Sequence, residues 1–420
     1  MATIKKKNSQ KIVITGIGVI TSNGISKDEF WKNIEKGVSG IRQITLFDTS
    51  NLKTHLAGQI RDDFDAAHYL GEKGLRTLDR TTKIVNVAAK LAIEDANLKI
   101  DETNSDSIGV VVGTTLGSIY SISEFDKTAL REGLRYVNPA LFPNTVINSP
   151  ASQISIRFNI KGFNTTISTG YTSSLDALRY SYDFVKLKRV KAVLVGGVEE
   201  LCIHTYLGFY KLKFLAGSNG TGQEISCPFD KRRNGIVFGE GSAMLVIEDL
   251  DSAKQRGAKI YAEILGFGSY FDPYRINKYN RRGTGIRVAM RRAIEDAELK
   301  PKDIDYISAN ANSTKYADLI EAESIEDVFG KQIDKIPVSS IKSMIGETFS
   351  ACGSLQVAAT IGAMENGFLP PTINYQLREE AYNLDVVPNK SRRANITNAL
   401  INTFGPGGTN TCVVLRKYMN

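Results

Sequence analysis

An eight-residue segment occurs twice in this chain, and the spacing of its two copies limits the possible folds. Residues 92–99 read Ala-Ile-Glu-Asp-Ala-Asn-Leu-Lys, and residues 293–300 read Ala-Ile-Glu-Asp-Ala-Glu-Leu-Lys. The copies are 201 residues apart, close to half of the 420-residue chain. Each copy ends an amphipathic helical pattern and precedes a short acidic loop and a strand. The repeat therefore predicts two halves of similar structure.

Strand and helix patterns alternate along both halves. The predicted strands are short and rich in Val and Ile: Lys11–Ile20, Gly109–Thr114, Thr165–Thr169, Lys191–Gly196, Ser242–Glu248, Ile336–Ile341, Ala399–Phe404 and Thr411–Leu415. The predicted helices are Lys27–Glu35, Lys83–Ala96, Ser173–Lys186, Ile286–Ala297, Asp318–Val328 and Leu355–Asn366. This alternation predicts an α/β fold with mixed or parallel sheets. No flexible linker divides the chain, so we expect two tightly packed halves, 1–255 and 256–420.

The composition is that of a globular protein. Hydrophobic residues make up 42% and charged residues 23% of the chain, which excludes a disordered chain, a collagen and a coiled coil. No apolar run approaches the ~18 residues of a transmembrane helix. The start is basic, but Gly16 and Gly18 break the apolar run that follows, so it does not predict a signal peptide. We expect a cytoplasmic protein without a membrane partner.

The charge and the cysteines limit the partners and ligands. The formal net charge of +8 favours an acidic partner, but the basic pairs are scattered, which argues against nucleic acid. The four cysteines lack zinc-knuckle spacing, so we expect buried free thiols and no metal site. They are Cys202, Cys227, Cys352 and Cys412.

Several common catalytic motifs are missing or incomplete. Gly16-Ile17-Gly18 follows a strand, but Thr21 stands where the third glycine of a dinucleotide-binding motif belongs. The chain has no P-loop ending in Gly-Lys-Ser/Thr and no G-x-S-x-G turn. Residues 405–410, Gly-Pro-Gly-Gly-Thr-Asn, favour a tight turn between two strands rather than a phosphate site.

A series of short motifs, in order through nearly the whole chain, resembles the β-ketoacyl synthase family of the thiolase-like fold. The motifs are Val13–Gly18, Pro228-Phe229-Asp230, Arg233-Asn234-Gly235, Gly239-Glu240-Gly241, Ser313-Thr314 with Asp318, Ile341-Lys342-Ser343 with Gly346, and Gly407–Asn410. The resemblance implies two related halves in a five-layered α/β/α/β/α arrangement. This arrangement agrees with the internal repeat.

The resemblance also locates three catalytic positions, and all three are changed. In the family, a nucleophilic cysteine lies where a strand turns into a helix, and its thiolate is stabilised by the helix N-terminus. Two histidines from the second half stabilise the thioester carbonyl and assist malonyl decarboxylation. By this resemblance, Tyr171 takes the place of the cysteine, and Asn310 and Glu347 take the places of the histidines.

The chemistry of these changes argues against catalysis by this chain. A tyrosine hydroxyl, with a pKa near ~10, is protonated at neutral pH, and its bulk would partly plug the pocket. Asn310 cannot accept a proton, and an ionised Glu347 would repel a malonyl carboxylate and its enolate. Lys342 lies five residues before Glu347, and we expect the two to pair. For Tyr171, the alternatives are simple packing and, less favoured, an acyl carrier.

A ketosynthase-like chain without these residues resembles the chain length factor of type II polyketide synthases. Residues Gln153–Arg157 and Leu175–Leu178 also follow that pattern, although tyrosine stands where chain length factors often carry glutamine. The resemblance implies a heterodimer with an active ketosynthase, an acidic acyl carrier protein as a further partner, and no cofactor bound by this chain. The phosphopantetheine arm of the carrier would reach the partner subunit. The product class, aromatic polyketide or aryl polyene, stays open.

By the same resemblance, the tunnel that sets chain length passes the subunit interface near two segments. The candidate tunnel or interface residues are Leu116, Ile119, Ile122, Phe125, Leu141 and Phe142. The first four follow a helical spacing, so core packing is the favoured interpretation, and the alternative is that one or two of them cap the tunnel. Pro406 stands where active condensing enzymes usually carry a gating phenylalanine, and proline has no swinging side chain. Together with Lys342, it would belong to a vestigial pocket.

Three other functions remain open from the sequence. The first is an active β-ketoacyl carrier protein synthase that uses unusual residues. The second is a malonyl carrier protein decarboxylase, although such relatives keep both histidines. The third is a binding or structural protein that forms a homodimer with an unused pocket.

Overall fold

The computed structural model describes residues 10–276 and 278–419. Its strands are β1 (Ile12–Thr21), β2 (Arg42–Gln43), β3 (Leu56–Gly58), β4 (Ile108–Gly113), β5 (Asn164–Ile167), β6 (Ala192–Glu199), β7 (Phe238–Gly239), β8 (Gly241–Asp249), β9 (Ala262–Phe271), β10 (Tyr306–Ser308), β11 (Val338–Ser339), β12 (Phe368–Leu369), β13 (Arg392–Arg393), β14 (Asn398–Phe404) and β15 (Thr409–Lys417). Its helices are α1 (Lys27–Lys36), α2 (Ala66–Leu70), α3 (Arg80–Asp95), α4 (Ile119–Arg131), α5 (Ser149–Phe158), α6 (Ser173–Lys186), α7 (Ile203–Lys211), α8 (Leu250–Gln255), α9 (Thr284–Asp296), α10 (Lys315–Phe329), α11 (Lys342–Ile345) and α12 (Cys352–Asn366).

The main sheet has two halves with the same strand order and direction. Ten strands follow the order β11-β10-β14-β15-β9-β1-β8-β6-β4-β5. From the centre outward, each half contains two antiparallel pairings followed by two parallel ones. The halves join where β1 pairs with β9. This mixed sheet and its two-fold topology confirm the α/β fold and the internal duplication.

Helices cover each half of the sheet on both faces. α6 and α12 contact each other and pack against both halves, and residues 352–364 of α12 are all buried. The outer faces are covered by α3 and α5 in the first half and by α9 and α10 in the second, each with its own apolar cluster. The resulting order of layers is the thiolase-like α/β/α/β/α arrangement.

The repeated segment performs the same packing task in both halves. It ends α3 in the first half and α9 in the second, and its aspartate caps the neighbouring strand in each. The Asp95 carboxylate accepts a 2.9 Å hydrogen bond from the backbone N–H of Ile17, and Asp296 accepts one of 2.8 Å from Phe267. Repetition of the sequence therefore reflects repetition of a helix–strand contact.

The Gly-x-Gly pattern near the N-terminus belongs to this same contact. A β-carbon at Gly18 would lie 2.0 Å from the Ala88 carbonyl oxygen, and one at Gly268 would lie 1.9 Å from that of Ala289. Only glycine allows the helix to lie so close to the strand. The pattern is thus explained by packing, in agreement with its failure as a dinucleotide-binding motif.

The predicted elements are all present, but several others were not predicted. Strand β9 was not predicted because Gly266 and Gly268 interrupt its alternation, and α5 and α7 were not identified as helices. Helix α4 was indicated only by the helical spacing around Ile122. The basic residues before position 10 lie outside the described residues. The four cysteines are free and buried, as expected. Within the described ranges, no helix is both long and apolar enough to cross a membrane.

Candidate functional site

Tyr171 lies at the junction between β5 and α6, where the sequence placed it. A single 3-10 turn, Gly170–Thr172, joins the strand to the helix, and Gly170 takes a positive φ of 75°. Asp176 holds this turn in place, because its carboxylate accepts hydrogen bonds from the Thr172 hydroxyl (2.7 Å) and from the Thr411 hydroxyl of β15 (2.6 Å). The junction is therefore fixed to the second half of the molecule.

The ring of Tyr171 is buried within an aromatic cluster. It packs edge-on against Phe349 with 5.1 Å between ring centroids, and Phe349 in turn contacts Phe209 and Phe238 at 4.7 Å. The Cys352 thiol donates a 3.3 Å hydrogen bond to the Tyr171 backbone carbonyl. Burial raises the pKa of the Tyr171 phenol well above its usual value, and Tyr279 and Glu347 add to the effect. The phenol is neutral at physiological pH.

Asn310, Lys342 and Glu347 form one buried polar network beside this cluster. The Lys342 ammonium donates to the side-chain oxygen of Asn310 (2.8 Å) and to the Glu347 carboxylate (2.9 Å). Glu347 also accepts hydrogen bonds from the Asn312 amide (2.9 Å) and the Phe349 backbone (3.0 Å). The expected Lys342–Glu347 pair is confirmed, with both side chains only 1% exposed.

The network leaves little scope for acid–base chemistry. Burial would lower the pKa of the Lys342 ammonium, but the acidic groups of Cys352 and Glu347 beside it outweigh that effect and raise it. The Asn310 amide donates to the Phe404 carbonyl (3.0 Å), so each polar group of Asn310 is already engaged. Burial raises the pKa of the Cys352 thiol to about 12, which removes it as a thiolate nucleophile.

The three histidines lie elsewhere. His55 bonds Thr49, His68 packs on Tyr69, and His204 packs on Tyr120. None of these contacts involves the network or Tyr171.

Glu321 lies beneath the network and was not identified from the sequence. Its carboxylate accepts hydrogen bonds from the Asn310 backbone (2.8 Å) and the Asn402 amide (2.6 Å), while its other oxygen has no partner among the described residues. Burial raises its pKa to about 7. Its position three residues after Asp318, on one side of α10, was the available signal.

Asp318 joins two motifs that lie far apart in the sequence. Its carboxylate accepts from the backbone N–H groups of Phe229 (2.9 Å), Asn312 (2.9 Å) and Ser313 (3.1 Å). One buried carboxylate thus joins the Pro-Phe-Asp motif to the segment that carries Asn310.

A small apolar cavity of about 290 Å³ leads to Tyr171. Pro406 and Leu116 line it together with Phe209 and Phe349. The structure therefore brings Tyr171 and Pro406 to one pocket, with Lys342 and Glu347 buried behind the aromatic cluster.

The other tunnel candidates lie around a second, larger cavity of about 480 Å³. Phe125 and Leu141 line this cavity, and Phe142 packs against Phe125 with 6.0 Å between centroids. Ile119 and Ile122 lie in α4 but line neither cavity. No residue of α4 is buried, so the core-packing interpretation is wrong for this helix.

Exposed apolar side chains are concentrated in the part of the chain that contributes Tyr120, Tyr136 and Leu141 to this second cavity. Of the twenty large hydrophobic side chains exposed in the described ranges, ten lie between residues 120 and 156. We call these ten the apolar face: Tyr120, Ile122, Leu130, Leu134, Tyr136, Leu141, Phe142, Val146, Ile147 and Ile156. Such a concentration is typical of a surface that another protein covers.

Family models match both halves of the chain. The model of the beta-ketoacyl synthase N-terminal domain matches residues 9–253, and that of the C-terminal domain matches residues 261–376. A 3-oxoacyl-[acyl-carrier-protein] synthase 2 from Coxiella burnetii is 36% identical over 409 residues, covering 97% of this chain and 99% of the relative.

Solved structures give the same family. The ishigamide ketosynthase/chain length factor superposes with a TM-score of 0.92 at 31% identity, covering 98% of this chain and 100% of that chain. A type II polyketide synthase acyl-carrier protein in complex with its ketosynthase gives a TM-score of 0.89 at 28% identity, with the same coverage. On these matches and on its fold, the chain belongs to the beta-ketoacyl synthase family.

Proposed function

We propose that this chain is a non-catalytic ketosynthase-like subunit of the chain length factor type, which pairs with an active ketosynthase. The observation that carries the proposal is the closed network of Lys342, Glu347 and Asn310 at the position of the family's two histidines. With Tyr171 in the place of the cysteine, the chain offers neither a thiolate nor an imidazole for condensation.

The proposed loss of activity follows from the chemistry of both half-reactions. Acyl transfer needs a nucleophile that is ionised or is activated by a general base. The Tyr171 phenol is neutral because burial raises its pKa, and no base among the described residues is hydrogen-bonded to its hydroxyl. Decarboxylation of a malonyl unit releases carbon dioxide and leaves an enolate, which needs neutral or cationic donors. At this site, the Lys342 ammonium already donates a hydrogen bond to the Glu347 carboxylate, so it is not free to stabilise an enolate.

The surface supports a protein partner. The apolar face ends at Ile156, shortly before β5 in the sequence, and β5 is an edge strand of the main sheet that pairs only with β4 among the described strands. An open edge strand beside exposed apolar side chains is a surface that proteins usually cover. We propose that the active ketosynthase covers it.

In the proposed complex, the partner carries out the chemistry and this chain shapes its cavity. The acyl carrier protein would deliver its phosphopantetheine arm to the partner's cysteine, and the net charge of +8 would favour encounter with an acidic carrier. Phe125 and Leu141 would form part of the tunnel that limits chain length, because both line the cavity beneath the apolar face.

Co-expression with a ketosynthase that carries the family's cysteine and both histidines tests the proposal. We expect a 1:1 complex on size-exclusion chromatography. We also expect the pair, but not this subunit by itself, to extend a labelled acyl thioester. The isolated subunit should neither take label from an acyl carrier protein nor release carbon dioxide from a malonyl carrier protein. Acyl transfer to the isolated chain would favour an active synthase. Release of carbon dioxide by the isolated chain would favour a decarboxylase. A stable homodimer that binds no ketosynthase would favour the binding or structural protein.

A further inference from the structure

The cavity beneath the apolar face has the size and lining of a small-molecule site. Its volume of about 480 Å³ lies within the range of roughly 300–1,000 Å³ that is usual for ligand pockets. Half of its twenty lining residues are aliphatic or aromatic, and the exposed side chains Tyr120, Tyr136 and Leu141 of the apolar face are among them. A ligand chain could therefore enter from the side that the partner is proposed to cover.

One buried acid lines this apolar cavity. Glu200 follows β6 directly, and the residue is only 3% exposed. One oxygen of its carboxyl group accepts a 3.2 Å hydrogen bond from the Thr81 backbone N–H, and the other has no partner among the described residues. A buried polar atom without a partner is costly, and it is retained where a ligand or water satisfies it.

The charged groups around Glu200 are already occupied. The Arg80 guanidinium donates to Glu240 (2.8 Å), and Asp79 accepts from the Thr82 backbone (2.9 Å) and the Ser121 hydroxyl (3.0 Å). Glu124, which also lines the cavity, pairs with Lys127. Arg80 is the one basic side chain among the described lining residues, against the three acids Asp79, Glu124 and Glu200, so the cavity wall disfavours an anionic ligand.

The protonation state of Glu200 determines which groups of a ligand it can hydrogen-bond. Burial raises its pKa to about 8, the charges of Asp79 and Glu240 add to the effect, and Arg80 opposes it. At neutral pH, the group is mostly a carboxylic acid. Its free oxygen can then donate to a carbonyl oxygen or accept from a hydroxyl group.

We propose that this cavity holds the distal end of the chain that the partner elongates, and that Glu200 hydrogen-bonds an uncharged oxygen in that end. The inference rests on the proposed function, because only the partner would supply such a chain. The ligand class is an apolar chain that carries a carbonyl or hydroxyl group near its tail. A chain ending in a carboxylate is rejected by the acidic walls.

Binding to the isolated subunit tests the recognition itself. With calorimetry, we expect 2-nonanone and 1-nonanol to bind at pH 7 and nonanoate not to bind. At about pH 9.5, the affinity for the ketone should fall about 30-fold, since an acid of pKa about 8 is then about 3% protonated and cannot donate. The alcohol should keep most of its affinity, because a carboxylate still accepts from it.

Two variants separate recognition from folding. Glu200→Leu should lose about tenfold in affinity for both probes and should lose the pH dependence, whereas Glu200→Gln keeps an amide donor and should bind the ketone at both pH values. Glu94→Leu is a matched control on the exposed side of α3, and it should behave as the unsubstituted protein does. Ketone binding that is independent of pH in the unsubstituted protein would overturn the proposed role of Glu200.

Product analysis with the reconstituted pair tests the identity of the occupant. Glu200→Leu should shift the product distribution toward chains without an oxygen at the tail or toward a different length, while Glu94→Leu should not. If the pair elongates chains but its products are unchanged by Glu200→Leu, this inference fails and the proposed function stands. If no pair forms, the proposed function is wrong, and the proposal that an elongating chain occupies this cavity is wrong as well.

Discussion

The ammonium of Lys342 lies 2.9 Å from the carboxylate of Glu347, and neither side chain is more than 1% exposed. Within one buried network, a cation therefore pairs with the acid that the family resemblance puts in the place of a histidine. A buried pair of this kind is expensive to break, because the remaining charge has no solvent to stabilise it.

Breaking this pair should destabilise the fold. We expect Lys342→Met to lower the free energy of unfolding by about 3–5 kcal/mol, since it leaves the Glu347 carboxylate buried without its cation. The double variant Lys342→Met/Glu347→Gln should recover most of that loss, because no uncompensated charge remains. Urea unfolding of the single and double variants measures both values, and a double variant no better than Lys342→Met would contradict the prediction.

Restoring the nucleophile alone should not restore condensation. Tyr171→Cys places a thiol at the N-terminus of α6, where the helix lowers a thiol pKa. We expect this variant of the isolated subunit to become acylated by an acyl carrier protein thioester, as detected by intact-mass spectrometry. Carbon dioxide release from malonyl carrier protein should stay at background, since Asn310 and Glu347 are unchanged. Tyr171→Phe is the control, and decarboxylation by Tyr171→Cys would be the contrary result.

The two glycine contacts should be equally intolerant of a side chain. We expect Gly18→Ala and Gly268→Ala each to cost at least about 2–3 kcal/mol of stability, because the new β-carbon would approach a helix carbonyl oxygen to 2.0 or 1.9 Å. Gly208→Ala in α7 serves as the control, since a β-carbon there meets nothing within 4 Å and should stabilise by about 0.5–1 kcal/mol. Thermal unfolding of the three variants measures these changes in stability, and a Gly18→Ala or Gly268→Ala variant as stable as Gly208→Ala would contradict the prediction.

Glu321 should make the fold less stable as the pH rises. Its pKa is raised from 4.5 to about 7, so the folded protein binds more protons than the unfolded chain between these values. The neutral Glu321 side chain therefore contributes its full stabilisation below about pH 4.5, and this contribution is lost as the pH rises through 7. The loss lowers the free energy of unfolding by about 3 kcal/mol for this group alone. Glu321→Gln should flatten the dependence of unfolding free energy on pH between 5 and 8. An unchanged slope would refute the assignment.

One substitution on the apolar face should disrupt the proposed complex without unfolding the chain. Phe142 is 57% exposed, so Phe142→Asp should leave the melting temperature of the isolated subunit within a degree or two and abolish co-purification of the ketosynthase. Leu187, 67% exposed but outside the apolar face, gives the control Leu187→Asp, which should still bind. Equal binding by both variants would place the interface elsewhere.

The sequence alone predicted the duplicated α/β fold and the Lys342–Glu347 pair, and the structure confirms both. That Tyr171, Asn310 and Glu347 take the family's catalytic positions is what the resemblance implies, and it stays a prediction. An internal repeat, a hydrophobic period and a five-residue spacing are properties of the sequence, so they can be recognised without knowing how the chain packs. The division of the chain at residue 255 stays a prediction from the same signals.

Only the tertiary structure decided what the distant residues do together. Glu321 and Glu200 are ordinary acids in the sequence, and burial against residues far along the chain gives each its raised pKa. The helical spacing around Ile122 predicted either a core or a tunnel, and folding showed that α4 buries none of its residues. Which face of a helix is covered depends on its neighbours in space, and a periodic pattern does not contain that information.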